Sequence, residues 1–219
     1  MLEQYKARLK LLLGRGVRKS YGQFGEDVIV QAMIRDTGGV YVDVGAYHPA
    51  LYSNTFALYK RGWSGVVIDP NPALGTLFKS LRPRDTFVQA AIGEPTTATY
   101  HSFSDGAYNT LSDQAAEERK NLKHATYLGG TPIVCRPLRD ILQEQNISEI
   151  GFMNIDVEGK DLEVLKTHNW SIPPKVIAIE AEEFNASAPQ ENEAYSFLHA
   201  RGYELKGIAG LTLIFQKTN

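Results

Sequence analysis

The feature that most constrains this chain is an alternation of short apolar runs with stretches of helical period. Val40 to Val44 reads as a buried strand bounded by glycines. A helix pattern runs from Ser53, a good N-cap, to about Lys60, with Gly62 as its stop. Gly65 to Asp69 is a second strand, and Asn71 with Pro72 opens a helix that reaches about Leu81. Thr86 to Ile92 is a third strand. Ile150 to Asp156 is a fourth, followed by a helix over about Lys160 to Thr167. Lys175 to Glu180 is a fifth, followed by a helix over about Glu191 to Arg201. Tyr203 to Lys206 and Leu211 to Gln216 close the chain as two strands. Alternation of this kind demands a parallel sheet covered on both faces, with right-handed crossovers. The last two strands are too close for a crossover helix, so they pair as an antiparallel hairpin at or near one edge. The expectation is an α/β, three-layer, Rossmann-like fold with a seven-stranded, mostly parallel sheet in one domain.

Two segments stand outside the alternation. Residues 96–131 are polar and charged, with a short strand candidate at Ala98 to Phe103 and a charged helix at Asp113 to Leu122. They read as an insertion or lid over the carboxyl edge of the sheet. Residues 1–35 read as an N-terminal helical segment. Within Met1 to Ser20, six cations face only Glu3, so this stretch carries +5 and the remainder −7 of the net −2. A basic amphipathic helix there can make weak peripheral contact with an anionic membrane. The preferred expectation is a surface helix packed on the domain by Leu2, Leu9 and Leu13.

Composition narrows the classes further. A single cysteine, Cys135, excludes a disulfide framework and a cysteine-based zinc finger. No apolar run approaches the length of a transmembrane helix. The slightly acidic balance argues against a nucleic-acid partner. A cytoplasmic protein follows as the default expectation.

The chemistry concentrates at strand ends. In Val42-Asp43-Val44-Gly45-Ala46-Tyr47-His48-Pro49, a strand ends in an acid and turns at a glycine. Gly45 is read as letting the backbone approach a ligand. The full glycine fingerprint of a dinucleotide binder is absent, because Tyr47 and His48 stand where further glycines belong. Asp43 would repel a pyrophosphate but attract an ammonium. Asp69 ends the next strand and can accept hydrogen bonds from two ribose hydroxyls. Acid, glycine turn and second acid suit S-adenosylmethionine.

At these residues the chain resembles the FkbM-type S-adenosylmethionine-dependent methyltransferases, which have the class I Rossmann-like fold. The matching stretches are Tyr21 to Asp27, Tyr41 to Ala46, Ser53-Asn54-Thr55, Gly62 to Pro72, Ala90 to Gly93, Pro137 to Leu142 and Ile155 to Gly159. The family usually carries Glu where this chain has Asp69, and often Asn-Gly where it has His48-Pro49. The resemblance implies O-methylation of a sugar, glycan or small natural product. It implies that Asp43, Gly45, Ala46 and Tyr47 line the methionine end of the cofactor. Asp69 and Pro70 would hold the ribose, and Ala90 and Ala91 would sit near the adenine. Ser53 and Asn54 would bond the cofactor carboxylate. Gln23, Glu26 and Asp27 would lie in a segment that closes over it, or simply cap a helix.

Asp156 ends the fourth strand beside this crevice. An alcohol is almost wholly neutral at neutral pH and needs a base or a metal to become a nucleophile. Asp156 is the candidate base, with Glu158 and His48 as further catalytic candidates. Alternatively, Asp156, Glu180 and Glu182 would hold Mg, Ca or Mn, since an all-oxygen set suits hard cations. A third reading has Asp156 and Glu158 only capping the helix after Gly159. In the insertion, Tyr108, Asn109, Thr110 and Ser112 offer a ring and donors of the sort that hold a sugar. Competing functions are a non-catalytic cofactor-binding domain, an RNA ribose methyltransferase and a dinucleotide oxidoreductase.

Overall fold

The computed structural model describes residues 2–14, 16–181 and 183–218. The central sheet has seven strands: β1 (Val40–Val44), β2 (Ser64–Asp69), β3 (Thr86–Gln89), β7 (Phe152–Ile155), β8 (Val176–Glu180), β9 (Tyr203–Ala209) and β10 (Thr212–Lys217). Their spatial order is β3-β2-β1-β7-β8-β10-β9. The first five in this order run parallel, and β10 inserts antiparallel between β8 and β9. The chain therefore builds outward from β1 to β3, then returns past β1 to build the other half. That reversal lies between β1 and β7, where open α/β sheets form their ligand crevice.

The strands are apolar on both faces because helices cover both. Val42, Val44, Val66, Ile68, Met153, Ile155, Ile177, Ile179, Leu213 and Phe215 belong to one buried cluster. That cluster includes residues of α6 (Leu138–Glu144), α7 (Asp161–Lys166) and α8 (Glu193–His199). The alternate residues Tyr41, Val67, Phe152, Val176, Ala178 and Ile214 belong to the other. That one includes residues of α2 (Glu26–Met33), α3 (Phe56–Lys60) and α4 (Leu74–Leu81). The period-two switch of faces is what a doubly covered strand requires.

Two expectations need correction, and a third gains a strand. The run from Thr86 to Ile92 is not one strand. It breaks at Ala90, and β4 (Ala91–Ile92) leaves the main sheet to pair parallel with β6 (Tyr127–Arg136). The insertion is a hairpin of β5 (Thr97–Phe103) on β6, with α5 (Asp113–Arg119) carried between them. Finally, the described side chains of α1 (Leu2–Leu12) do not pack on the domain: Leu9 and Leu13 are exposed, as are all residues from Glu3 to Gly14, while the Leu2 side chain lies outside those described. Among the described residues, no helix is long and apolar enough to cross a membrane.

Candidate active site

The carboxyl ends of β1, β2, β7 and β8 surround a cleft of about 440 Å3. That volume lies within the span of small-molecule sites, about 300–1,000 Å3. The expected cofactor residues Gln23, Glu26, Asp43, Gly45, Ala46, Tyr47, Ser53, Asn54, Asp69, Pro70, Ala90 and Ala91 all line it. So do His48, Asp156, Glu158 and Glu180. Glu182, expected as a metal ligand, lies outside the described residues.

Gly45 is dictated by the protein rather than by a ligand. Its φ is +82°, and a Cβ there would stand 1.6 Å from the carbonyl oxygen of Asp156. The Asp156 amide donates to the Val44 carbonyl at 3.0 Å, so the ends of β1 and β7 are drawn together at this turn. Only glycine fits.

Asp43 is buried and already engaged. Thr55 donates its hydroxyl to Oδ2 at 2.5 Å, and the Asn154 amide donates to Oδ1 at 2.9 Å. Burial pushes the Asp43 carboxyl up, opposed by the charge of Arg82 and by these two bonds. Asn154 in turn accepts from the Asn54 amide at 3.0 Å. The remaining Asn54 oxygen, Oδ1, is buried with no hydrogen-bond partner. A Cβ on Gly22 would come within 2.7 Å of it and within 2.4 Å of Glu26 Oε2. An orphaned acceptor beside a carboxylate is a place for a ligand cation. The sequence pattern pointed to Asp43 for that cation, but Asp43 itself is spoken for. Ser53 is committed within the protein: its Oγ accepts from the Phe56 amide and from Arg82.

Arg82, which the sequence reading did not single out, organises the floor beneath Asp43. Its side chain and that of Asp85 are fully buried and paired at 2.5 Å. Arg82 also donates to the Tyr41 hydroxyl, the Thr55 hydroxyl and the Pro49 carbonyl. Thr55 thus links the ion pair to Asp43.

Asp69 closes β2, buried in the cleft wall with Ala90 and Ala91. One of its oxygens accepts from the Asn71 amide at 2.8 Å. Burial outweighs that bond and, with the charge of Asp43, pushes Asp69 up to about 7.

Asp156, Glu158 and Glu180 each offer an oxygen within 4.8 Å of the others'. Burial raises the Asp156 carboxyl well above the usual range; the charges of Glu180, Glu158 and Asp43 and a hydrogen bond with Glu180 add to it. Arg119 from the insertion pairs with Glu158, and Thr110 donates to the Glu158 carbonyl at 3.0 Å. Glu158 sits at φ +60°, a conformation a non-glycine residue holds only where its surroundings fix it. Neither Asp156 nor Glu158 is the helix cap. The N-cap position is Lys160, with no side-chain cap bond, while the Asp161 carboxylate accepts from the Val157 and Gly159 amides and ties down the turn before the helix. Burial and the charge of Asp156 hold Asp161 near 8, against those bonds.

His48, a further catalytic candidate, is not placed to act as a base. Its Nδ1 accepts from the Ala50 and Leu51 amides at 3.0 and 2.9 Å. The proton then resides on Nε2, so the ring can donate into the cleft but has no free acceptor there. The insertion's polar residues are likewise committed. Asn109 bonds Tyr100 and the Phe103 amide, and Tyr108 bonds His124. Ser112 caps α5. Their backbones still wall the cleft over Gly106 to Leu111.

The methyltransferase FkbM domain family matches residues 43–205, which carry every strand-end residue described above. Among curated proteins, none is matched by the sequence. A solved TehB-like SAM-dependent methyltransferase from Corynebacterium glutamicum overlays 99% of this chain and 97% of its own, with a TM-score of 0.41 and 15% identity.

Proposed function

The chain belongs to the FkbM methyltransferase family, and on that premise we propose that it methylates a hydroxyl of a sugar, glycan or small natural product, with S-adenosylmethionine as donor. The observation that carries this reading is the placement of Asp156 in the same cleft as Asp69 and the orphaned Asn54 oxygen. The cofactor, when bound, supplies an electrophilic methyl group on a sulfonium. Asn54 Oδ1 and Glu26 are suited to its ammonium, Asp69 to its ribose hydroxyls, and Ala90 and Ala91 to the adenine. Asp43 positions Asn54 through Asn154 and adds negative potential at the cationic end.

Asp156 acts as the general base. A carboxyl raised by burial and by neighbouring acids is a stronger base once ionised. It would take the hydroxyl proton as the methyl passes from sulfur to oxygen, the S–C bond breaking to leave a neutral thioether. Arg119 neutralises Glu158, which lessens the repulsion that would otherwise keep Asp156 protonated. The acid-lined cleft repels phosphates, which favours a neutral acceptor over an RNA ribose.

A second reading rests on the convergence of three carboxylates. Asp156, Glu180 and Glu158, in place of the expected Glu182, would hold Mg, Ca or Mn and sharpen the acceptor oxygen. The arginine already on Glu158 favours the base reading. The test is transfer of labelled methyl from S-adenosylmethionine to a panel of glycans and hydroxylated natural products, with and without chelator. Wild type should label a hydroxyl, chelator should leave the rate unchanged, and Asp156→Asn should lower turnover by about 10²-fold or more. Binding without labelling of any acceptor would favour a non-catalytic domain. Loss of rate in chelator, restored by Mg, would favour the metal.

A further inference from the structure

We propose that α1 is a docking helix for an anionic membrane surface. Tyr5, Leu9, Leu12 and Leu13 recur at the spacing of one helical face, and the helical bonding continues from the Leu13 amide to the Leu9 carbonyl. These four side chains are 68%, 56%, 84% and 61% exposed. A contiguous apolar stripe left open to water is a binding surface in want of a partner. At 100° per residue, Lys6 and Arg8 fall on the two flanks of the stripe and Lys10 just beyond Lys6. Beyond the turn at Leu13 and Gly14, no hydrogen bond or ion pair ties α1 to the rest of the chain among the described residues; its one ion pair is internal, between Lys6 and Glu3.

Charge selects the occupant. Six cations and one acid lie within the first twenty residues, while the rest of the chain carries −7. A second copy of α1 laid on the stripe would bring like charges together on both flanks. An anionic lipid surface does the reverse. Leucines sink into the acyl boundary, the lysine and arginine stems run up to the headgroups, and each cation meets a phosphate. The −7 body is then repelled from the same surface, so α1 is the part that meets it.

The experiment is co-sedimentation of the full chain with vesicles of phosphatidylcholine, alone or mixed with phosphatidylglycerol, at low and high salt. Light scattering on vesicle-free protein gives the oligomeric state. The proposal expects binding to mixed vesicles at least about tenfold above pure phosphatidylcholine, and a comparable loss at high salt. Leu9→Glu with Leu12→Glu should abolish binding, and Lys6→Glu with Arg8→Glu should weaken it about tenfold or more. These positions are exposed, so the fold and cofactor affinity should not change. No binding to mixed vesicles, or binding that survives the leucine substitutions, would overturn the proposal. So would a wild-type dimer that the leucine substitutions dissociate, because a second copy would then be the occupant.

Discussion

Replacing Arg82 by Met tests whether the buried polar network holds up the cleft. The guanidinium donates to five oxygens, from Asp85, Pro49, Ser53, Tyr41 and Thr55, and is wholly buried. Methionine fills the volume of the aliphatic stem and leaves the Asp85 charge buried. Asp85 keeps the Tyr41 hydroxyl at 2.6 Å and the Gly65 amide at 3.1 Å. Breaking one side of a buried ion pair costs about 3–5 kcal/mol. Against a total stability of about 5–15 kcal/mol, that is a large fraction. For a chain of this length, a loss of about 4 kcal/mol lowers the melting temperature by roughly 8–16 °C. The assay is urea unfolding of wild type, Arg82→Met, Asp85→Leu and the double variant. The two single losses should exceed the double loss by about 2–3 kcal/mol, because the second substitution removes the orphaned charge. Cofactor affinity should fall too, since Arg82 opposes the burial that raises Asp43. A single-variant loss below about 1 kcal/mol, or singles that simply add, would refute the argument.

Other outcomes follow from the same structure. Asp69 lies near 7 when folded, against 3.8 ordinarily, so the native state binds its proton more tightly. Stability from this group is therefore fullest below about pH 4 and lost as pH rises towards 7, and Asp69→Asn should gain about 2–4 kcal/mol near pH 8 in thermal unfolding. Ribose hydroxyls need the ionised form, so cofactor affinity should weaken up to about tenfold per unit as pH falls below 7. Calorimetry across pH reads this, and an affinity that is flat in wild type would discard the ribose role. Turnover should rise with pH through the raised Asp156 titration, since the base must be ionised to accept a proton; a rate already at its plateau near pH 5 would contradict a raised carboxyl. Gly45→Ala forces a methyl into the Asp156 carbonyl at a left-handed turn, so it should give insoluble protein or a steep loss of melting temperature. Native stability in that variant would mean the β1–β7 approach is looser than described.

The sheet was legible because its strands are short apolar runs, several with an acid or glycine at the end, and because turn and capping residues such as Asn192 break the runs between them. The antiparallel ending followed from chain length alone. What escaped was polar burial. Arg82 and Asp85 sit in a run of charge and proline that reads as surface, and nothing local says that the guanidinium folds inward against Tyr41 and Thr55. Asn154 lies inside an apolar strand, where its link between Asp43 and Asn54 depends on two other segments. The break at Ala90 escaped for the same reason, since residues on either side of it are equally strand-like and only pairing separates them. His48 lines the cleft, but that its Nδ1 is claimed by amides two and three residues on could not be read from the sequence. The turn after β7 is held by Asp161, whose carboxylate takes the Val157 and Gly159 amides, so neither Asp156 nor Glu158 caps the helix.

Calorimetric titration of wild type and Asp69→Ala with S-adenosylmethionine, S-adenosylhomocysteine and NADH tests the central claim most directly. The account predicts binding of the two adenosyl ligands by wild type with Kd on the order of micromolar, about −8 kcal/mol. It predicts at least tenfold weaker binding by Asp69→Ala and none of NADH. Absence of binding for both adenosyl ligands, or tighter binding of NADH, would contradict it.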